Sequence, residues 1–398
     1  MTHEHQRRYD LDAIRIFAML TIFFFHCARF FDPFGWHLKN AETSDVVAIF
    51  IGFISMWSMP LFFLISGVGT WYGLGARTPG QYLIERVKRL LIPFFTVGLF
   101  LLLPPQYFFE LITNREFTGS FVEAYGLYFD HIFIDNGPSA FYCTPWSGHL
   151  WFLQQLFLVS LFTLPLLMYL GSDPGRAKIR RLAAICDRAG GIFLLVIPIA
   201  VISVCLQWIP QEQEHGWPDF FNSGAVNRMC RYAAFFLIGY ILPMEEHFFE
   251  SMKKCGWICL LSGIVAFSAL GLLVARVGYD PIEVSSPSLL YVCFQLAASL
   301  GALSWIVFFL SLAAKYLNHK SRTIAYGNEA VLPFYILHQT VILIVGWFII
   351  QSKLSIPAKY IIISTTSFVL IIALYEFLVK RINTLRFLFG MRPKSRLH

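Results

Sequence analysis

Apolar residues run through this chain in long blocks separated by short polar links. A helix that crosses a bilayer needs about 20 mostly apolar residues. Such blocks fall at roughly 13–31, 46–71, 90–109, 149–170, 191–209, 231–249, 256–275, 289–314, 329–350 and 358–379, and they predict about ten transmembrane helices. The block at 231–249 is short and carries Pro243. Residues 121–134, FVEAYGLYFDHIFI, are broken by Glu123, Asp130 and His131 and predict an interfacial segment instead of a span. No internal repeat, low-complexity tract or soluble domain interrupts the pattern. The expected fold is all-α, a polytopic membrane helical bundle in one domain over 1–398. Its helical core covers about 9–380, and a basic tail follows at 381–398.

The polar links sort by charge. With the N-terminus inside, the inner links receive Arg7, Arg8, Arg77, Arg86, Lys88, Arg89, Arg176, Lys178, Arg180, Arg181, Arg188, Lys253, Lys254, Lys315, Lys320, Arg322 and the tail. The outer links carry carboxylates instead, among them Glu110, Glu116, Glu123, Asp130, Asp135, Glu212, Glu214, Asp219, Asp280 and Glu283. Cytoplasmic loops are enriched in Lys and Arg, so the expected orientation is N-in and C-in.

Composition agrees with a membrane class. The chain is 57% hydrophobic and 14% charged, where soluble domains run near 25% charged. The formal net charge of +7 is then a loop property, and no nucleic-acid partner is expected. The first block is longer than a signal-peptide core and no small-residue cleavage site follows His26, so a retained first helix is expected. Eight cysteines show no metal-ligand spacing, and only Cys143 and Cys230 have positions that would let them meet on one exposed side.

The stretch YDLDAIRIFAMLTIFFFHCARFF, residues 9–31, keeps Arg15 and His26 in an apolar helix. Eleven residues apart, they project from one face with about 16 Å of rise between them. Each has an ordinary alternative: Arg15 can snorkel to the headgroups, and His26 can be a hydrogen-bonded interhelical histidine. Together they suggest a cationic anchor at the inner rim below a titratable imidazole, on a path for a substrate from the cytoplasm. Arg86 and Arg89 in ERVKRLLIPFF share a helix face and suit phosphate oxygens, although an inner loop needs no ligand to be basic. Ser66 and Gly67 permit close helix approach. SGHLWFLQQL places His149 and Trp151 at the outer rim, and VLPFYILHQTVIL places His338 near mid-span; these three are candidates for substrate binding. Glu376 and Lys380, one turn apart, predict an ion pair. The HxxxD spacing of His131 and Asp135 matches soluble acyltransferases by chance alone, since their fold is absent.

The R-x10-H pattern of Arg15 and His26, followed in order by FFLISG, RVKRLLIP, HLWFL and YILH, resembles the acyltransferase 3 family of membrane acyltransferases. WHLKNAE, FFLIGYILP and LYEFLVKRINTLRFLFG are similar to its glucan biosynthesis protein C group of glucan succinyltransferases. The likeness covers nearly the whole chain. It implies a bacterial inner-membrane enzyme of about ten helices, with acyl-CoA as co-substrate and no permanently bound cofactor or metal. It further implies an acyl group, succinyl or acetyl, delivered to a hydroxyl of a periplasmic glycan. Arg15 and His26 are then required, and Arg86 and Arg89 lie near the donor. Membrane lipids and the glucan synthesis machinery are the other partners it points to. No esterase-type soluble domain follows the helices, as it does in some relatives, and the acceptor stays open.

On that reading an anionic nucleotide meets Arg15, Arg86 and Arg89, and its arm threads towards His26. The imidazole takes a hydroxyl proton as general base, or carries the acyl group covalently. A polytopic transporter or flippase is the rival, since buried Arg and His also suit substrate pathways. It lacks the paired broken helices of two matching halves. An inactive structural partner of a glycan synthase is a third reading.

Overall fold

The computed structural model describes residues 8–130, 132, 145–205, 225–277 and 289–394. Every regular element among them is helical: α1 (Tyr9–Ala28), α2 (Asp45–Gly75), α3 (Pro79–Asn114), α4 (Phe121–Asp130), α5 (Trp151–Gly171), α6 (Asp173–Cys186), α7 (Val196–Cys205), α8 (Ala225–Ile241), α9 (Glu246–Val277), α10 (Leu289–Tyr316), α11 (Arg322–Ile350), α12 (Ile356–Val379) and α13 (Asn383–Leu388). Eight helices among the described residues are long and apolar enough to cross a membrane. Two shorter apolar helices, Gly191–Cys205 and Met229–Met244, lie where two further spans are expected. The protein is an all-α, polytopic membrane bundle.

Boundaries shift where proline acts. The block expected at 231–249 divides: α8 ends at Ile241 and α9 opens at Glu246, with Pro243 in the short turn between them. Proline offers no N–H and cannot continue the helical ladder there. α3 begins earlier than its apolar block, at Pro79, because Thr78 and Gln81 close a capping box around the first turn. Around Pro93 the helix widens into π-type turns over Val87–Leu91 and Phe94–Leu102, the first of which holds Arg89 and directly follows Arg86.

One end of the bundle is strongly basic. There Arg8 lies over the Phe249 ring at 4.0 Å, and Arg176 over Trp71 at 5.4 Å. Lys254 pairs with Asp187 at 2.9 Å, Arg180 with Glu245 at 3.4 Å, and Arg392 with Glu85 at 3.0 Å. These contacts bring the N-terminus, the α2–α3 and α5–α6 links, the α8–α9 turn and the C-terminal tail onto one face. The opposite face holds the α1–α2 link. It is fastened where Lys359 donates to Asn40 at 2.7 Å and Lys39 to the Arg29 carbonyl at 2.7 Å.

Two close approaches set the frame. A Cβ on Gly67 would land on the Phe236 carbonyl, and one on Gly239 on the Leu64 carbonyl; α2 and α8 therefore meet backbone to backbone, as small residues allow. α1 and α11 run parallel. Arg15 bonds Asn328, Phe23 meets Phe334 and His26 meets His338, each step advancing along both helices.

Candidate active site

The α1–α11 seam carries a charged cavity towards the basic face and a histidine cluster beyond it. The cavity measures about 370 Å³, within the usual range for small-molecule sites. Arg15, Arg77, Arg86, Arg89 and Arg392 line it, with Glu85 as the one lining carboxylate. Glu85 is already shared between Arg77 at 2.7 Å and Arg392 at 3.0 Å. The surplus positive charge favours a polyanion.

The arginines are held differently. Arg15 Nη1 donates to the neutral Asn328 Oδ1 at 2.9 Å. Arg86 donates through Nε to the Tyr82 hydroxyl at 3.0 Å and through Nη2 to Thr70 Oγ1 at 2.6 Å, so α2 fixes its plane. Arg89 faces the positive charges of Arg15, Arg86 and Arg392, offset in part by Glu85, and makes no hydrogen bond or ion pair among the described residues. Its five donors are open to a ligand.

Phe152, Leu153 and Tyr335 close the deep end of the cavity. Tyr335 is the link to the histidines: its hydroxyl donates to the His149 carbonyl, and its own carbonyl accepts from His338 Nδ1 at 2.5 Å. His338 is fully buried. Its ring centroid lies 5.0 Å from that of His26 and 4.9 Å from that of His149.

Partners decide the tautomers. His149 Nε2 lies 3.0 Å from the Ile336 carbonyl, which only accepts, so Nε2 carries the proton. Nδ1 then accepts from Gln106 Nε2 at 3.2 Å. With both nitrogens engaged, His149 cross-ties α3 to α11. Gly148 makes this placement attainable: its φ is +46°, and a Cβ there would sit 2.8 Å from Gln106 Oε1. His338 Nδ1 likewise holds its proton against a carbonyl, leaving the Nε2 lone pair buried and without a partner. His26 is half-buried, and its Nδ1 is buried without a partner. Unsatisfied buried polar atoms cost about 1–3 kcal/mol each, so such atoms gathered in one place mark a site for a polar ligand.

On the far side of His26 the Trp36 ring stacks at 6.1 Å with 22° between the planes. His37 follows, with Nδ1 3.1 Å from Glu110 Oε2. The residues thus succeed one another from the arginines past Tyr335 and the histidines to a carboxylate towards the opposite face.

Of the residues singled out in the sequence, Arg15, Arg86 and Arg89 share the cavity, while His26, His149 and His338 form the cluster. His149 lies inside the bundle, 5% exposed, deeper than an outer rim position. Trp151 turns away and stacks on Tyr232 at 5.7 Å. Gly67 makes the helix contact, whereas Ser66 lines the cavity. Glu376 and Lys380 are an ion pair at 2.6 Å. Cys143, His131 and Asp135 lie outside the described residues. Tyr335, Gln106, Asn328, Trp36, His37 and Glu110 join the site without having been singled out for it. Gln106 and Asn328 carried a signal, as polar side chains inside apolar helices.

The family model described as an acyltransferase domain matches residues 8–376. Glucans biosynthesis protein C of Escherichia coli strain SMS-3-5 is 27% identical over 399 residues, covering 98% of this chain and 95% of that protein. Its Salmonella typhi namesake is 25% identical over 392 residues, covering 97% and 95%. No solved structure matches the chain. The chain belongs to the acyltransferase 3 family and is a multi-pass membrane O-acyltransferase.

Proposed function

We propose that the protein takes an acyl group, succinyl or acetyl, from a coenzyme A thioester in the arginine cavity and delivers it to a hydroxyl of a glycan. The observation that carries this reading is that a cavity lined by five arginines and a cluster of three histidines meet the α1–α11 seam at successive levels. A nucleotide with several phosphates suits the cavity, since planar guanidinium groups match phosphate oxygens. The acyl end then extends some 16 Å along α1, the rise from Arg15 to His26. The basic face is cytoplasmic by the positive-inside rule, which puts N- and C-termini inside and the end with Trp36 and Glu110 outside. A bacterial inner membrane satisfies both sides, and the printed name of the relatives favours a glucan as acceptor.

In the transfer, the glycan hydroxyl oxygen attacks the thioester carbonyl carbon while His26 accepts the hydroxyl proton. The tetrahedral adduct collapses, the C–S bond breaks, and the thiolate leaves with the proton from the imidazolium. General base assistance of this kind is worth about 10²–10⁴-fold. Labelled succinyl- and acetyl-coenzyme A, purified protein and a periplasmic glucan test the reading. Labelled glucan is the expected product. No transfer from either thioester, with mass spectra of periplasmic glycans unchanged by the protein, overturns it.

A further inference from the structure

The reaction just described develops negative charge on the thioester carbonyl oxygen, and the histidines cannot stabilise it while acting as bases. A buried N–H aimed at the reacting centre is the usual device. Resting on that reading, we propose that the indole N–H of Trp36 is the donor that holds this oxyanion.

Trp36 is 3% exposed, and its Nε1 has no hydrogen-bond partner among the described residues. Indole nitrogen only donates. The ring lies against the face of His26, and both His26 Nδ1 and His338 Nε2 are likewise without partners. One donor and two proton acceptors, each buried without a partner, thus belong to His26 and the two rings packed against it, and a carbonyl bound beside His26 lies within reach of all three. Two other described indoles, Trp57 and Trp305, also lack partners. Their rings pack on Phe17, Phe53, Phe308 and Phe309, with no histidine ring contact among the described residues. Trp36 differs by its neighbour.

The surroundings hold the indole still, as electrostatic preorganisation requires. Phe30 meets it edge-on at 4.9 Å. Asn114 donates to its carbonyl at 3.4 Å. The link that carries it is closed by Asn40 N–H to the Phe30 carbonyl at 2.9 Å and Ser44 N–H to the Phe31 carbonyl at 2.8 Å. Arg29 and Asp32 pair beneath it at 2.8 Å, almost fully buried.

The step balances without another reagent. As the hydroxyl oxygen bonds to carbon, the carbonyl π pair moves onto oxygen and is met by Trp36 Nε1–H. His26 holds the hydroxyl proton. On collapse the pair re-forms the C=O bond and the thiolate departs with that proton. An acyl-imidazole route passes through the same oxyanion, and so does hydrolysis by water.

Trp36→Phe keeps the stacked ring and removes the donor. The kcat for acyl transfer should fall about 10²–10³-fold, as for loss of one oxyanion-hole donor. Hydrolysis of the thioester without acceptor should fall by the same factor, while donor and acceptor KM stay near wild type. The pH profile should keep its shape, because no titrating group is lost. Trp36→His restores a ring N–H and should be faster than Trp36→Phe, with thermal midpoints of both variants checked against wild type. An active wild type with an equally active Trp36→Phe variant overturns the assignment alone. A raised acceptor KM with intact kcat also overturns it, since the indole would then bind ground-state acceptor. A wild type that neither transfers nor hydrolyses any thioester overturns the underlying reading.

Discussion

His26 on α1 and His338 on α11 face one another with ring centroids 5.0 Å apart and planes inclined by 53°. They are the upper rung of a ladder whose lower rung is Arg15 to Asn328 at 2.9 Å. The two rungs are eleven residues apart on one helix and ten on the other, so parallel helices keep both in register. His338 has one proton fixed on a backbone carbonyl. His26 has no such tether, which leaves it able to change protonation during turnover.

Replacing His26 with Ala should therefore abolish acyl transfer while membrane insertion and thermal midpoint stay near wild type. The expected fall is about 10²–10⁴-fold, the range for losing a general base. Retention of substantial activity by matched amounts of His26→Ala protein would remove His26 from the chemistry.

The α1–α2 link offers a pH test. Burial pushes the Lys39 amine down to about 8 from 10.5, against an opposing pull from Asp32. Below about 8 both folded and unfolded chains hold the proton, and the penalty for the buried ammonium is fully present. Between the two values the unfolded chain still binds a proton that the folded chain has released, so stability rises with pH across that window. Thermal unfolding of wild type and Lys39→Met from about pH 7.5 to 10 reads the difference. Wild type should gain stability relative to Lys39→Met across that window; parallel curves would mean that Lys39 is not perturbed in the folded link.

Much of the site was legible because bilayer energetics punish polar residues that have no purpose there. Arg15, His26 and His338 stand out in apolar helices for that reason, and helix geometry alone put the first two on one face. The bundle was legible from block length. What stayed hidden depends on which helices touch: Tyr335 is an ordinary aromatic in sequence and becomes the divider between cavity and cluster only when α11 meets α5. Trp36 lies in the α1–α2 link and Glu110 near the end of α3, and no local pattern encodes their meeting at one end of the bundle. Gly148 gave no sign of the φ of +46° that carries His149 inward.

Arg15 separates a planar contact from a mere charge. Lysine keeps the positive-inside signal and can snorkel, so Arg15→Lys should leave expression and orientation intact. It lacks the forked donors that bond Asn328 and a phosphate together. Losing one charge-assisted hydrogen bond, worth about 1.5–3 kcal/mol, should lower activity on the order of ten- to a hundredfold. Acyl transfer by matched amounts of Arg15→Lys, Arg15→Ala and wild type measures it, with cysteine accessibility as the control for topology. Full activity of the Lys variant would reduce Arg15 to a point charge.

Arg86 and Arg89 are one turn apart and line the same cavity, yet their surroundings predict different losses. Arg86 is bonded to Tyr82 and Thr70, so Arg86→Ala removes two hydrogen bonds from the α2–α3 contact, where Thr70 and Tyr82 keep only their mutual bond at 3.0 Å and that of Thr70 to Ser66, as well as a positive charge from the cavity. It should lower the thermal midpoint and weaken donor binding together. Arg89 has like charges around it and no protein acceptor among the described residues. Arg89→Ala removes repulsion from the empty protein and should hold or slightly raise the thermal midpoint. The same substitution should raise the donor KM about ten- to a hundredfold, the worth of a charge-assisted hydrogen bond. Thermal unfolding with and without acyl-coenzyme A reads both effects at once: the ligand-induced shift should shrink in both variants, but only Arg86→Ala should start from a lower value. An undiminished ligand shift in Arg89→Ala would mean that the donor's phosphates lie elsewhere.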